Sequence, residues 1–351
     1  MSAFEEAVRG IAEPDARIRA EVARRLDGKT KPRRSLGRLE DLACAVAAVQ
    51  GTTRPDVRRR AVVVMAADHG VAAQGVSAYP QEVTAQMVLN FARGGAAICV
   101  LARHVGADVV VVDLGCRTPA SHPAVLDRRI GPGTKDFTKG PAMSREEALR
   151  ALEAGVGVAD ELAEKGIRLV GLGDMGIGNT SSASALAAAY LGLPPEEVTG
   201  RGTGVDEAGL RRKLEAVRAG LEANRPDPAD PLGVLAALGG FEIAGLAGVA
   251  VGAAARRIPV VMDGFIATAA ALAAARLAPA TRGALLASHS SVEPGHRRLL
   301  EALGTRPLLD LEMRLGEGTG AALAMHLVEA AVRILDEMAT FEQAGVSDSG
   351  A

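Results

Sequence analysis

The segment 314-RLGEGTGAAL-323 sets one acid, Glu317, between two glycines at the mouth of an alanine-rich run. A lone carboxylate on so bare a loop suits either a solvated helix start or a base aimed into a cavity. A glycosidase would need two cooperating carboxylates, one of them an acid for a poor alkoxide leaving group. A reaction whose leaving group departs neutral needs only the base. A second segment, 171-GLGDMGIGNTSSA-183, follows an apolar run and opens a helix. Its glycines let a ligand approach the backbone, and a helix start offers free N–H groups and a positive dipole end to an anion. Asn179, Thr180, Ser181 and Ser182 add amide and hydroxyl donors, good chemistry for a phosphate. A third segment, 200-GRGTGV-205, precedes a helix that begins after Asp206. With Arg201 and Lys213 nearby, the two glycine loops would clamp one phosphate from two sides; a surface turn and a solvated helix face describe the third segment equally well.

Other chemistries find less support. Gly171, Gly173 and Gly176 match G-x-G-x-x-G, but the dinucleotide fingerprint also needs a second strand ending in an acid about 20 residues on. Glu196 and Glu197 stand at that distance within LGLPPEEVTG, a Pro-Pro turn. No Gly-Lys-Ser/Thr follows the loop, so it is not a Walker loop. The histidines form no HExxH or Cys/His cluster, and no GxSxG elbow occurs. Asp68-His69 at a strand end suits catalysis or a turn equally.

These loops need a scaffold, and the 351-residue chain alternates short apolar strands with helices from about residue 56 onward. RRAVVVMAADHG, ADVVVVDLG, GIRLVGLGDMG, IPVVMDGF and RGALLASHSS read as strands ending in polar or glycine-rich turns. Such alternation predicts a mostly parallel sheet covered on both faces, with ligands beyond the carboxyl ends of its strands. The run 82–106 reads as one helix, and 144-SREEALRALEAGVGVADELAEKG-166 as a long one capped by Ser144 with Glu147 at capping-box spacing. Leu36, Leu39, Leu42 and Val46 recur at helical spacing, so residues 14–50 read as a helical layer beside the sheet. The stretch 224-NRPDPADP-231 reads as a loop between helices and the tail GVSDSGA as disordered.

Composition bounds the partners. A net charge of −2 and 2% aromatic residues give neither the field nor the stacking surfaces of a nucleic-acid binder. The apolar stretch 243-IAGLAGVAVGAAA-255 is too short to cross a bilayer. MSAFEEAVRG lacks the apolar core of a secretion signal, and Cys44, Cys99 and Cys116 form no CxxC pair. A cytoplasmic protein is expected.

Several long segments, in order across almost the whole chain, carry a resemblance: 31-KPRRSLGRLEDLA-43, 66-AADHGVAAQGVSAYPQEVTAQMVLNFARGGAAI-98, 173-GDMGIGNTSSASAL-186, 200-GRGTGVDEAGLRRK-213, 239-GGFEIAGLAG-248, 261-VMDGFIATAAAL-272, 287-ASHSSVEPGH-296 and 314-RLGEGTGAALA-324. In these the chain resembles the nicotinate-nucleotide–dimethylbenzimidazole phosphoribosyltransferases of cobalamin nucleotide-loop synthesis. The resemblance implies a Rossmann-like α/β domain at residues 56–324 and a small helical domain from both termini, residues 1–55 and 325–351. It implies a homodimer that needs no metal or cofactor. The implied reaction moves the phosphoribosyl group of nicotinate mononucleotide to 5,6-dimethylbenzimidazole, with Glu317 as general base. Ser77, Tyr79, Gln86 and Leu315 are then expected to line the acceptor pocket. Gly176, Gly178, Asn179 and Thr180 on one loop, Gly202, Thr203 and Gly204 on the other, and Lys213 would hold the phosphate. Asp174 would lie near nicotinate or ribose, with Asp263, Gly264, Ser290 and Ser291 beside it. Asp174 departs from the family pattern, which has Glu there, and is shorter by one methylene. The alternatives are a nicotinamide-dependent dehydrogenase, resting on GLGDMG, and a non-catalytic nucleotide sensor.

Overall fold

A computed structural model describes residues 1–202 and 204–347; Thr203 and the end of the tail, and the expectations attached to them, lie outside the described residues. The first two β-branched runs form Arg60–Ala67 (β1) and Asp108–Gly115 (β2), and Val125–Asp127 adds an edge strand (β3). Leu169–Met175 (β4), Val260–Met262 (β5) and Leu285–Ala287 (β6) follow. These make one six-stranded sheet in the order β3-β2-β1-β4-β5-β6, parallel throughout. That is the doubly wound order, in which the crevice beyond the strand ends receives the ligand. His289–Ser290 (β7) pairs with Leu309–Asp310 (β8) in a separate parallel ribbon, which no periodicity in so few residues announces.

Alternate residues of β1 serve opposite layers. Ala61, Val63 and Met65 face a core that includes helices Arg145–Glu164, Asn179–Leu191, Phe241–Ala255 and Phe265–Leu277. Val62, Val64 and Ala66 face a core built with helices Arg38–Gln50, Ala97–Val105 and Thr319–Glu337. Period-two burial on both faces is what a covered parallel sheet requires. Helices Ala16–Asp27 and Arg38–Gln50 pack on each other, and Thr319–Glu337 packs on both. The same C-terminal helix also lies on β4 and β5, so its start sits over the strand ends.

The apolar stretch that is too short for a membrane is the centre of the molecule. Every residue from Phe241 to Ala254 is buried. Gly245 abuts Leu114 and Met65 on the sheet, and Gly248 abuts the Leu152 carbonyl on the neighbouring helix. The capping box at Ser144 and Glu147 forms as read, each side chain bonding the other's backbone N–H. The loop 225–230 separates Glu207–Asn224 from Pro231–Leu238, again as read.

One reading of the chain needs correction. The run 82–106 is two helices, Glu82–Ala92 and Ala97–Val105, of 11 and 9 residues. Gly94, at φ +78, breaks the register, because left-handed backbone ends a helix. Neither piece has the roughly 20 residues needed to cross a bilayer, although the whole run has the length and apolarity. An N-terminal helix, Ala3–Gly10, also forms and closes a Ser2/Glu5 capping box.

Gly248→Val is expected to destabilise the fold by about 1–3 kcal/mol, since the added atoms meet the Leu152 backbone rather than a movable side chain. Urea unfolding checks this; an unchanged midpoint would show that the two helices are not in such close contact.

Candidate active site

The ends of β4, β5 and β6 converge on a cavity of about 590 Å³. Asp174 and Met175 end β4 on its wall, and Gly176, Ile177, Asn179 and Thr180 follow; Gly264, Phe265 and Ile266 follow β5; and His289, Ser291 and Glu293 follow β6. Arg314, Leu315, Gly316 and Glu317 close another side, and Tyr79, Val83 and Met87 bring an apolar flank. A volume of this order fits a ligand-binding cleft.

Glu317 is buried, 6% exposed, and its Oε2 accepts the Ile98 N–H at 3.4 Å. Ile98 lies in the first turn of Ala97–Val105, a helix with no side-chain cap, so a positive dipole end faces the carboxylate. Burial raises the Glu317 pKa above the usual glutamate value, and the Ile98 bond opposes this. The backbone at this point is exceptional: Gly316, Glu317 and Gly318 have φ of +82, +63 and +87. For Glu317 that conformation costs on the order of 1–2 kcal/mol.

Asp263 holds this conformation in place. Its Oδ2 accepts the Gly318 N–H at 3.0 Å, and its Oδ1 accepts those of Gly320 at 2.7 Å and Ala321 at 3.2 Å. These are amides at the start of Thr319–Glu337, which lack intrahelical partners. Burial pushes the Asp263 pKa up to about 7, against the downward pull of these backbone bonds. Beneath the turn, a Cβ on Gly173 would come 2.5 Å from the Glu317 carbonyl oxygen, and one on Gly171 would meet Met325 and Ala321. The first glycines of GLGDMG therefore lie inside β4 and admit the Glu317 turn and its helix.

Asp174, also buried, accepts the Asn179 side-chain N–H at 2.9 Å. Burial, and then the nearby Asp263 and Glu242, raise its pKa well above the usual aspartate value. The anion side lies further on. The helix Asn179–Leu191 starts at Gly178, φ +96, without a side-chain cap, and its first turn borders the cavity. Lys213, 1% exposed, donates to Thr180 Oγ1 at 3.0 Å, and burial lowers its pKa to about 8. Arg314 donates to the Gly202 carbonyl at 3.1 Å, while the Gly202 N–H donates to Glu293 Oε1 at 2.8 Å.

Of the residues singled out in the sequence, Glu317, Asp174, Gly176, Asn179, Thr180, Gly202, Gly264, Ser291, Tyr79 and Leu315 line the one cavity. Tyr79 and Leu315 form its rim, more than half exposed. Lys213 reaches Thr180 from behind the wall, and Gly204 lies near Arg314. Gly178, packed against His69 and Val71, supports the turn from below. Gln86, Ser77 and Ser290 are not on the cavity wall: Gln86 is solvent-exposed, Ser77 accepts the Tyr79 N–H, and Ser290 pairs in β7. Both oxygens of Asp263 are taken up by the helix start, so its side chain positions the loop rather than lining the wall. His69 is a brace: its Nδ1 lies 2.9 Å from Ser182 Oγ and its Nε2 2.6 Å from Glu242 Oε1, all buried. Glu293, Arg314 and His289 were not singled out for roles, though each stands inside a segment that carries the resemblance.

A parallel sheet in doubly wound order, with an anion cradle and a buried carboxylate at its strand ends, is the architecture of a nucleotide-handling α/β enzyme. The family model described as a phosphoribosyltransferase matches residues 11–346, and the chain belongs to this family. It is 54% identical over 349 residues to the nicotinate-nucleotide–dimethylbenzimidazole phosphoribosyltransferase of Geobacter sulfurreducens, covering 99% of each chain. It is 56% identical over 348 residues to that of Roseiflexus, again covering 99% of each. The crystal structure of the enzyme of that name from Thermus thermophilus superposes with a TM-score of 0.90 at 52% identity, covering 95% of this chain and 100% of that one.

Asp263→Asn places an amide N–H against backbone donors. It is expected to cost about 1–3 kcal/mol of stability and to lower turnover more than it changes the donor KM. Thermal melting and steady-state kinetics check this; a variant matching the parent in both would remove Asp263 from the support of Glu317.

Proposed function

We infer that the chain transfers the phosphoribosyl group of nicotinate mononucleotide to 5,6-dimethylbenzimidazole, releasing nicotinate and α-ribazole 5′-phosphate. The observation that carries this is a buried carboxylate, Glu317, sharing one cavity with an anion cradle and an apolar flank. The apolar flank suits a flat heterocycle, and Leu315 and Tyr79 at its rim are placed to cover it. The cradle of Thr180, Gly202 and Lys213 suits a phosphate monoester.

The chemistry explains why one acid suffices. The donor's pyridinium nitrogen is positive, and the electrons of the breaking glycosidic bond neutralise it, so nicotinate leaves without a proton. The acceptor attacks through one ring nitrogen and would become cationic. Glu317 removes the proton from the other nitrogen as the new bond forms. Its elevated pKa strengthens it as a base, while the Ile98 amide keeps it ionised. Attack from the face opposite the departing nicotinate converts the β-configured donor into an α-configured product in a single displacement. Asp174, which burial and its acidic neighbours favour in the protonated form, offers an O–H to the nicotinate or ribose. The dehydrogenase alternative loses its basis, since Gly171 and Gly173 are covered by the chain's own helix start.

The helices of residues 1–55 and 325–351 form the small unit of this enzyme, the domain of residues 56–324 holds the site, and the enzyme works in the cytoplasm as a homodimer. The exposed Tyr79, Leu311, Leu315 and Val292 support a second copy near the cavity mouth. Sedimentation is expected to give twice 35.9 kDa; a monomer at micromolar concentration would refute this assembly.

Glu317→Gln should lower turnover by roughly 10²–10⁴ while nicotinate mononucleotide still binds; measuring nicotinate release separates an enzyme from a sensor, which would be inert already as the parent. The pH profile follows from the two shifted groups. Glu317 must be ionised, so kcat/KM falls as pH drops through its raised pKa, and Glu317→Gln lacks this acid limb. Lys213 must be protonated, so donor KM rises as pH climbs through about 8. A flat profile on both sides would contradict these assignments.

A further inference from the structure

One donor of the anion cradle, the Gly202 N–H, is already taken by the protein itself. Glu293 is 6% exposed, and it stands just before the helix Pro294–Leu303 without capping it. Its Oε1 instead accepts the Gly202 N–H at 2.8 Å. Its Oε2 is buried and has no hydrogen-bond partner among the described residues; it rests against Gly200. Among the described residues its donors are therefore few for a buried carboxylate, and the one it has is a backbone N–H of the glycine loop. Across the loop stands a buried cation, Lys213, whose hydrogen bond is to the neutral Thr180 hydroxyl. Lys213 and Glu293 both flank Gly202, and the Glu293 charge partly offsets the lowering of the Lys213 pKa by burial, yet the two form no direct ion pair among the described residues. Gly202, at φ +55, brings its backbone against Lys213 and Thr180 together: a Cβ there would come 2.9 Å from each of their polar atoms. Backbone N–H groups of a turn in left-handed conformation make an anion-binding concavity. Here that concavity holds an internal anion.

We propose that Glu293 is an internal placeholder for the donor's phosphate: it holds the Gly202 N–H in the free enzyme and yields that donor when the phosphate arrives. The proposal rests on the phosphoribosyl-transfer reading and adds to it a residue that sets the strength of phosphate binding. The phosphate and the Glu293 carboxylate cannot share one N–H, and two anions beside a single lysine repel. Phosphate binding therefore displaces the carboxylate from the Gly202 N–H. The cost of that displacement lowers the affinity for donor and product alike, so the product does not stay trapped in the cradle.

The test measures binding of inorganic phosphate and of nicotinate riboside, the phosphate-free donor, by calorimetry. In Glu293→Gln the amide oxygen still accepts the Gly202 N–H, but the repelling charge is gone. The affinity for phosphate relative to that for the riboside should rise at least about tenfold, and in Glu293→Ala it should rise as well. Weaker phosphate binding in both variants would mean that Glu293 merely pins the loop, and unchanged binding would mean that it does not compete; either overturns the placeholder. Should the variants not fold, crystals of the unmodified protein soaked in phosphate decide: Gly202 N parted from Glu293 is expected, and an intact bond beside bound phosphate refutes the idea. Nicotinate release by the unmodified protein is measured in parallel, so that a failure of the placeholder is distinguishable from a failure of the reaction.

Discussion

The three backbone N–H groups that Asp263 accepts are the constraint on which the site depends. A fully buried carboxylate is expensive in a low-dielectric interior unless donors surround it. The uncapped start of Thr319–Glu337 supplies those donors, and in return the carboxylate fixes where that helix begins. Once Gly318, Gly320 and Ala321 are held, the preceding turn has little freedom, and Glu317 accepts a left-handed backbone that it would not choose alone. Gly173 completes the arrangement from the sheet side, because any side chain on it would push the Glu317 carbonyl outward. The Glu317 carboxylate is thus positioned by a residue just after β5, a residue within β4 and a helix start.

Charge is distributed unevenly around the cavity, and desolvation decides what each group does with its proton. Asp263 lies close enough to raise the proton affinity of Asp174, and burial raises that of both. Asp174 accepts the Asn179 amide and has its proton affinity raised by burial, Asp263 is held by three backbone amides, and Glu317 has a single long bond from Ile98. On the far side Lys213 is poorly solvated and only modestly basic. A buried ammonium without a carboxylate in contact is a strong attractor for a dianion, and the same burial that weakens the lysine also strengthens its pull on a phosphate. An acidic, apolar half and a cationic, glycine-lined half in one cleft match a ligand that carries a flat base at one end and a phosphate at the other.

The order of strands and helices was legible because it rests on local causes. The run from Ala61 to Ala67 is apolar at every position, as a strand buried on both faces must be, and the helix after Ser144 announces itself by its period and by Glu147 at capping-box spacing. Asp206 and the Pro-rich stretch before Pro231 likewise mark boundaries within a few residues of themselves. Glu317 stood out as a lone acid among glycines, and its place in a recognisable segment gave it a role. The break at Gly94 is not legible in the sequence, since a glycine tolerated within a helix and one that ends it look alike until both Phe91 and Ile98 are buried in one core.

By itself, then, the sequence determined the sheet, its covering helices, the polar loops at the strand ends and the family to which such loops belong, because periodicity and turn chemistry act over a handful of residues. Only the tertiary structure decided that Asp263 supports a helix rather than a substrate, that the GLGDMG glycines seat the Glu317 turn, and that Glu293 rests on Gly202, 91 residues away. It alone brought Ile98 to a carboxylate 219 residues further along the chain. Which polar group meets which, and how much water is left between them, depends on how distant segments pack. Spacing along the chain does not carry that information.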